Sequence, residues 1–274
     1  MSDSQKQSAA KFRSLHAKGQ FLVLPNAWDV ASARVFEEAG FGAIATTSAG
    51  VAFTLGYPDG QRISREEMLA RVARIAKAVK VPVTADIESG YGDRPEAAAR
   101  TTQEVAAAGA VGLNLEDATH DPAHPLAELS LQVEKIRAVR EAALATGVLL
   151  VLNARTDVYL AEVGPAEKRY DEVLCRLLAF RGADCVFVPG VRDAQTIGRI
   201  VREVKCPVNI LVGSGSPPVG ELEKLGVARV SLGSAPMRAT LGLLKRIAEE
   251  LKSSGTYTTL ECGIPYADVN RMLE

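Results

Sequence analysis

The chain has 274 residues and a formal net charge of −1, with 47% hydrophobic and 24% charged residues. This balance is typical of a globular protein, and it provides no strongly basic surface for nucleic acid or for an anionic membrane. We therefore predict neither a nucleic-acid partner nor a membrane partner.

The amino terminus and the cysteines indicate the compartment. The opening segment, M-S-D-S-Q-K-Q-S-A-A-K, is polar and lacks the apolar core of a signal peptide. No run approaches the ~20 apolar residues that are needed to cross a bilayer. The four cysteines are widely spaced and contain no C-x-x-C pair, so neither a zinc site nor a disulfide framework is indicated. We expect a soluble cytoplasmic protein.

Short apolar runs alternate with amphipathic stretches along the chain. After a polar helix predicted over 4–18, the apolar runs are rich in Val, Ile and Leu, as expected of parallel strands buried on both faces. The predicted strands cover 21–25, 42–47, 81–86, 111–116, 148–154, 185–189, 208–212 and 228–233. The predicted helices between and after them cover 28–39, 64–80, 95–108, 126–146, 166–181, 193–204, 217–225 and 235–253.

Eight strands alternating with eight helices predict an α/β fold of the (β/α)₈, or TIM, barrel type. A doubly wound sheet is disfavoured because the first turn, P-N-A-W-D, contains no G-x-G-x-x-G. No linker is evident, so we predict a single domain over 1–274 with the barrel at about 20–253. The tail 256–274 has apolar residues to bury. It is either a helical arm that packs on, or is swapped with, a neighbouring subunit, or a local cap.

Two acids end the third predicted strand, at the edge where such barrels build their active sites. Asp86 and Glu88 are two residues apart, so their carboxylates share one face of the strand. Two such acids repel each other unless a cation or a proton joins them, and oxygen ligands of this kind suit Mg²⁺. The alternative is a polar strand end with two solvated acids.

Further polar residues at the same edge predict a pocket for a small, multiply charged acid. Arg155, after strand five, offers a planar fork that matches a carboxylate or phosphate, unless it forms a salt bridge to Asp157 or Asp117. The other end of the ligand could be held by the hydroxyls and backbone amides of Thr47, Ser48 and Ala49.

Two features of strand seven are also candidates. Asn209 lies on that strand and is a predicted substrate-binding residue. The G-S-G-S-P loop at 213–217 lies where barrels often bind phosphate, although a lone G-x-G without a lysine is a weak signal.

Four strings occur in order at the barrel positions expected of them: G-A-I-A-T-T-S-A-G, A-D-I-E-S-G-Y-G, G-L-N-L-E-D and L-N-A-R-T-D. They resemble the isocitrate lyase and phosphoenolpyruvate mutase superfamily over roughly residues 20–245. The resemblance implies an enolate mechanism on 2-oxo acids with Mg²⁺, for which Mn²⁺ can substitute. It also implies a homodimer or homotetramer that exchanges a terminal helix.

Carried over by motif, the resemblance assigns roles to individual residues. The metal-site acids would be Asp86, Glu88 and Glu116, with Asp59 as a further acid near the metal. Arg155 would clamp the substrate carboxylate, and Thr47, Ser48 and Ala49 would hold its other end. Asp86 is also counted among the substrate-binding residues.

The loop after strand four departs from the family pattern. Isocitrate and methylisocitrate lyases carry a K-[KR]-C-G-H loop there, whereas this chain reads E-D-A-T-H-D-P-A-H-P-L from Glu116 to Leu126. The catalytic candidates that remain are Arg155, Glu116 and His120, although His120 could instead be a solvent-exposed residue of a mobile loop.

Decarboxylation of a 2-oxo dicarboxylate such as oxaloacetate depends least on catalytic side chains from this loop, because a metal can draw in the electrons as CO₂ leaves. We therefore predict a Mg²⁺-dependent C–C lyase or decarboxylase. Two alternatives stay open. The first is phosphonate chemistry of the phosphoenolpyruvate mutase or phosphonopyruvate hydrolase type, which is disfavoured because phosphoenolpyruvate mutase places a lysine and an asparagine in this loop and this chain has neither there. The second is a 2-oxo acid binding protein without turnover.

Overall fold

The strands form a closed parallel barrel in the computed structural model, which describes residues 2–274. They are β1 (Leu22–Leu24), β2 (Asn26–Ala27), β3 (Ile44–Thr46), β4 (Val83–Asp86), β5 (Gly112–Glu116), β6 (Val151–Arg155), β7 (Cys185–Val188), β8 (Val208–Leu211) and β9 (Arg229–Ser231). Pro25 interrupts the predicted first strand, because proline has no N–H to donate to a neighbouring strand. β1 pairs with β9 and β2 with β3, so the two pieces close the barrel. The predicted (β/α)₈ fold is confirmed.

The helices alternate with the strands. They are α1 (Asp3–Ser14), α2 (Val30–Glu38), α3 (Ser48–Thr54), α4 (Arg65–Ala78), α5 (Pro95–Ala107), α6 (Leu129–Ala145), α7 (Arg169–Ala179), α8 (Ala194–Glu203), α9 (Val219–Lys224), α10 (Ala235–Ser253) and α11 (Tyr266–Leu273). Short 3₁₀ helices cover Ala166–Lys168 and Thr258–Cys262. Within residues 2–274, no helix combines the length and the apolarity needed to cross a bilayer. A cytoplasmic location and a single domain stay predictions.

Helix α3 lies where the sequence predicted only a loop. Thr47 caps it, since its hydroxyl accepts a hydrogen bond from the Gly50 amide at 3.3 Å. A β-carbon at Gly50 would approach the Thr47 methyl to 2.5 Å, so only glycine fits there. Seven residues with a glycine and β-branched neighbours give too weak a helical signal to be read from sequence.

Helix α1 closes the amino-terminal end of the barrel. Phe12 is fully buried, and a β-carbon at Gly112, the first residue of β5, would come within 2.7 Å of its ring. Arg13 donates to the Asp184 carboxylate at 2.7 Å and to the Leu150 carbonyl at 3.2 Å. The predicted polar opening helix is therefore the floor of the barrel.

The two last helices differ in how they pack. In α10, which the sequence assigned to the barrel wall, Met237 is the only buried residue, and Leu241, Leu244 and Leu251 are exposed. In α11, Met272 is buried, and its carbonyl accepts from Arg34 of α2 at 2.6 Å. Within this chain the tail is a local cap on α2, and the predicted exchange between subunits stays a prediction.

The barrel interior contains a buried polar layer. Asn153 donates to Asn114 at 2.6 Å, and Asn209 donates to the Ser231 hydroxyl at 3.2 Å. Arg229, opposite Asn209 in the sheet register, is fully buried and has no hydrogen-bond partner within residues 2–274. Burial lowers the pKa of Arg229 to about 10, so it remains a cation at neutral pH. The structure therefore places Asn209 inside the barrel, beside a buried charge.

Replacing Phe12 by alanine tests the role of α1. Because the ring is fully buried at the floor, we expect Phe12→Ala to lower the free energy of unfolding by about 3–5 kcal/mol. Urea denaturation measures this, with Lys11→Ala on the exposed side of α1 as the control. A loss under 1 kcal/mol for Phe12→Ala would show that α1 contributes little to the barrel.

Candidate active site

Neighbouring strands bring a group of acids to the carboxyl end of the barrel. β4 ends in Asp86, with Glu88 two residues later, and β5 ends in Glu116. Glu88 and Glu116 are each 3% exposed. Their carboxylates and the imidazole of His120 offer ligand atoms that all lie within 4.8 Å of one another. The structure thus brings together three of the residues that the sequence predicted.

Asp86 is held in place by the start of α3. Its Oδ2 accepts from the Ser48 amide at 3.0 Å and from the Ser48 hydroxyl at 2.8 Å, and its own amide donates to the Thr46 hydroxyl at 2.9 Å. Its other oxygen, Oδ1, is buried without a hydrogen-bond partner within residues 2–274. A buried carboxylate oxygen left in this way has a free lone pair for a cation.

Arg155 bridges two acids across the mouth of the barrel. Its Nη1 lies 2.8 Å from Glu116 Oε2, while its Nε and Nη2 contact the two oxygens of Asp157 at 2.5 and 2.7 Å. The salt bridge to Asp157 that the sequence left open is therefore present. Three of the five guanidinium N–H groups are used, which leaves one on each terminal nitrogen for a ligand.

The charges around Arg155 keep it protonated. Burial alone would lower its pKa, but Asp157 and Glu116 raise the pKa of Arg155 well above its ordinary value. Burial raises the pKa of Glu116, and Arg155 opposes that rise. Arg155 is therefore a permanent cation that partly neutralises an otherwise acidic site.

A buried acid behind the site orients Asp157. Asp117 is fully buried, and its Oδ1 accepts from the Asp157 amide at 2.9 Å while its Oδ2 accepts from Arg176 at 3.1 Å. Burial raises the pKa of Asp117 to about 6, although these two donors oppose the rise. Arg176 was not predicted as a site residue, because nothing near it in the sequence links it to a strand end on the other side of α6.

Glu88 lies in a strained turn. Its φ is 52°, a left-handed conformation uncommon for a residue with a side chain, and its Oε2 accepts from the Gln61 amide at 2.6 Å. Lys135, also missed from the sequence, donates to the carbonyls of Ser89 at 3.2 Å and Gly92 at 2.9 Å. These bonds hold the turn that aims Glu88 into the site. Observed strain of this kind is common at functional sites.

His120 points into the site, whereas His124 points out. His120 Nε2 lies 3.4 Å from Glu88 Oε2 and 3.8 Å from Glu116 Oε1, while the His124 side chain is 82% exposed. The His120 ring packs so closely on Gly60 that a β-carbon at Gly60 would lie 3.2 Å from His120 Nδ1. Burial lowers the pKa of His120, against an opposing effect of Asp59. The loop histidine is thus part of the acid cluster.

A cavity of about 360 Å³ opens above these groups, a size that suits a small organic acid. Ser48, Asp59, Glu116, His120, Arg155 and Asp157 are among its lining residues. Thr47 and Ala49, predicted to bind substrate, do not line it, and neither does Asn209. Asp59 lies on the loop after α3, and partial desolvation of its carboxylate, followed by the charge of Asp86, raises its pKa.

The donor set fits Mg²⁺. The unpartnered Oδ1 of Asp86 and the buried carboxylates of Glu88 and Glu116 are oxygen ligands, which this ion prefers. The imidazole of His120 suits softer divalent ions better. We therefore assign the Mg²⁺ ligands to the three acids and give His120 a different role.

Comparison with known proteins gives a consistent family. The family model for phosphoenolpyruvate phosphomutase matches residues 12–252. A solved structure from Burkholderia cenocepacia J2315, classed only as a lyase or mutase, shares 41% identity and a TM-score of 0.93, covering 98% of this chain and 96% of the other.

Characterised relatives carry out more than one reaction. Oxaloacetate decarboxylase 2 of Pseudomonas fluorescens (strain Pf0-1) is 29% identical over 87% of this chain and 81% of its own. The 2,3-dimethylmalate lyase of Eubacterium barkeri is 31% identical over 80% of this chain and 77% of its own. Such similar identities do not choose between the two activities.

The protonation of Glu88 predicts a pH dependence of stability in the metal-free protein. Burial, followed by the charges of Asp86 and Asp59, raises the pKa of Glu88 to about 8 from an ordinary 4.5. Between these two values the folded state holds a proton that the unfolded state releases, so stability falls as pH rises. We expect the free energy of unfolding in EDTA to drop by about 2–4 kcal/mol more from pH 5 to pH 8 in the natural protein than in Glu88→Gln.

Denaturation at several pH values measures this difference, with Glu96→Gln on the exposed start of α5 as the control. Parallel curves for the natural protein and Glu88→Gln would contradict the assigned protonation.

Proposed function

Because the chain belongs to the phosphoenolpyruvate mutase family, within the isocitrate lyase and phosphoenolpyruvate mutase superfamily, we propose a specific reaction for it. The protein is a Mg²⁺-dependent C–C lyase that decarboxylates a small 2-oxo dicarboxylic acid such as oxaloacetate. The observation that carries this proposal is the composition of the site: a cluster of buried oxygen ligands, with one arginine that has two free N–H groups and one imidazole in the adjoining cavity wall.

The cavity lacks the groups that other reactions of the superfamily would use. Within residues 2–274, no cysteine and no lysine lines it. Cys185 is buried in the barrel, where burial raises the pKa of its thiol to about 12, and Cys175 and Cys262 are exposed elsewhere. A cleavage that relies on a thiol acid or base, or a phosphoryl transfer that relies on a lysine, therefore has no residue to perform it here.

Decarboxylation uses the groups that are present. The two free N–H groups of Arg155 bind a carboxylate of the substrate, and Asp157 and Glu116 fix the plane of the guanidinium. Mg²⁺, held by Asp86, Glu88 and Glu116, would draw electrons toward the 2-oxo group and stabilise negative charge there. As the bond to the leaving carboxylate breaks, its electron pair moves into the substrate to give an enolate and CO₂.

His120 completes the reaction as the proton donor. The enolate takes one proton at carbon to give pyruvate, so each turnover of the oxaloacetate dianion consumes one proton. His120 Nε2 is placed to deliver it, because His120 lines the cavity and its Nε2 lies 3.4 Å from Glu88 Oε2 and 3.8 Å from Glu116 Oε1, within the acid cluster. The imidazole then takes up another proton from solvent, because the His120 side chain is 30% exposed.

The exposed face of α10 supports an oligomer. Three leucines of this helix, Leu241, Leu244 and Leu251, are 44–59% exposed, and Met237 is the only residue of α10 that is buried. A homodimer or homotetramer in which this helix packs on a neighbouring subunit buries them. A molar mass of one chain by light scattering would contradict this assembly.

Turnover of oxaloacetate tests the proposed reaction. We expect the protein with Mg²⁺ to release pyruvate faster than Mg²⁺ alone, Asp86→Asn to abolish the excess, and His120→Gln to lower kcat by about 10²–10⁴. Asp171→Asn, an exposed acid of α7, is the matched control. A natural protein no faster than Mg²⁺ alone would refute decarboxylation; retained Mg²⁺-dependent oxalate binding would then favour a 2-oxo acid binding protein.

Replacing Arg155 by lysine tests the carboxylate clamp. A lysine has no planar fork to contact Asp157, Glu116 and substrate together, so we expect substrate binding to weaken by about 1.5–3 kcal/mol. KM for oxaloacetate should therefore rise by about 10- to 100-fold, while Arg137→Lys on the exposed side of α6 leaves it unchanged. An unaltered KM in Arg155→Lys would mean that the arginine is purely structural.

A further inference from the structure

A second cavity of about 430 Å³ lies at the same end of the barrel, beside the first. It is formed by the segments that follow β7, β8 and β9. Gly190 comes from the first of these, the G-S-G-S-P loop from the second, and Ala235 at the start of α10 from the third. The function proposed above uses none of these residues.

The lining of this second cavity is cationic. Arg192 and Arg238 both line it, and no aspartate or glutamate does. Neither arginine forms an ion pair with any acid within residues 2–274. The first cavity, by contrast, is lined by four acids. Both guanidinium groups are exposed to solvent, so an anion can reach the space between them from solvent and contact both.

Helix α10 and the G-S-G-S-P loop flank the two arginines. Helix α10 has 19 residues, and its N-cap residue, Ser234, makes no side-chain cap hydrogen bond. The Ala235 amide donates to the Leu232 carbonyl at 3.2 Å and Pro236 has no N–H, so the helix contributes the positive end of its dipole, and not free first amides, where Ala235 lines the cavity. On the other side, Gly215 has a φ of 84°, and a β-carbon there would lie 3.9 Å from Arg192 Nη1. The loop thus packs its backbone against one of the arginines.

One residue separates the two cavities. Leu160 lines both of them. Gly190 lies against its backbone, since a β-carbon at Gly190 would come within 2.8 Å of the Leu160 amide nitrogen. The Leu160 side chain is itself 48% exposed, so it can move without unfolding the core. A ligand that occupies the acidic cavity therefore has a cationic cavity as its immediate neighbour.

We propose that Arg192 and Arg238 form a second anion site, which takes a carboxylate or a phosphoryl group. The anion comes either from the far end of the substrate, reaching past Leu160, or from a separate small molecule that binds beside it. In the first case the substrate is longer than oxaloacetate and carries a third anionic group. Only this assignment to the substrate rests on the proposed function; the site itself does not.

Calorimetric titration tests the site with two probes, inorganic phosphate and the tricarboxylate tricarballylate, the latter with Mg²⁺. We expect the natural protein to bind at least one of them, and the double variant Arg192→Gln, Arg238→Gln to bind it at least tenfold more weakly. Arg246→Gln, an exposed arginine later in α10, is the matched control and should change nothing. Unchanged affinity in the double variant, or no binding of either probe by the natural protein, overturns the proposal.

Oxalate with Mg²⁺ distinguishes the two sources of the anion and keeps the test separate from the proposed function. Tricarballylate that competes with oxalate, and loses affinity only in the double variant, assigns the site to the far end of the substrate. Phosphate that binds equally well with oxalate present assigns it to a separate anion. Because the double variant leaves the acidic cavity intact, its oxalate affinity should match that of the natural protein. A loss of oxalate affinity would mean that the arginines act on the first cavity, which contradicts a separate site.

Discussion

Of the lysines and arginines in residues 2–274, Arg155 is the one that contacts the acid cluster at the mouth of the barrel, and the arrangement of the site depends on it. It contacts Glu116 and Asp157 at once, in a region where Asp86 and Glu88 add further negative charge. Burial raises the pKa of Glu88 and Glu116, which is the expected result when carboxylates crowd together away from water. A divalent cation would relieve this crowding, so the raised pKa values of the acid cluster and its proposed chemistry have one cause.

Neighbouring residues fix the positions of the acids at the carboxyl end of the barrel. Asp117 and Arg176 hold Asp157, and Ser48 holds Asp86. Lys135 holds the turn after β4, where Glu88 adopts a left-handed conformation. Each contact joins a strand end to a helix or to the neighbouring strand. The geometry of the acids is therefore a property of the whole upper half of the barrel, which is why a rigid α/β scaffold suits this chemistry.

Much of this was predictable because parallel strands have a strong sequence signature. Continuous apolar runs gave the eight-stranded barrel, and the period of two along β4 placed Asp86 and Glu88 on one face. What the sequence did not predict depended on contacts that are distant in sequence or on weak local signals. Asn209 is the second residue of β8 and lies opposite Arg229 in the register, so it belongs to the buried polar layer and does not line the cavity. The approach of His120 to Glu88 depends on how a proline-containing loop folds back, and no periodicity encodes that.

The central claim is that the acid cluster and Arg155 together form a Mg²⁺-dependent site for a 2-oxo acid. A crystal structure with Mg²⁺ and oxalate, a planar dianion that resembles the enolate of pyruvate, tests it most directly. We predict the ion beside Asp86, Glu88 and Glu116, coordinated directly or through water, with oxalate between it and the free N–H groups of Arg155. Oxalate bound away from Arg155, or an ion that leaves those three acids without a ligand or a bridging water, would contradict the account.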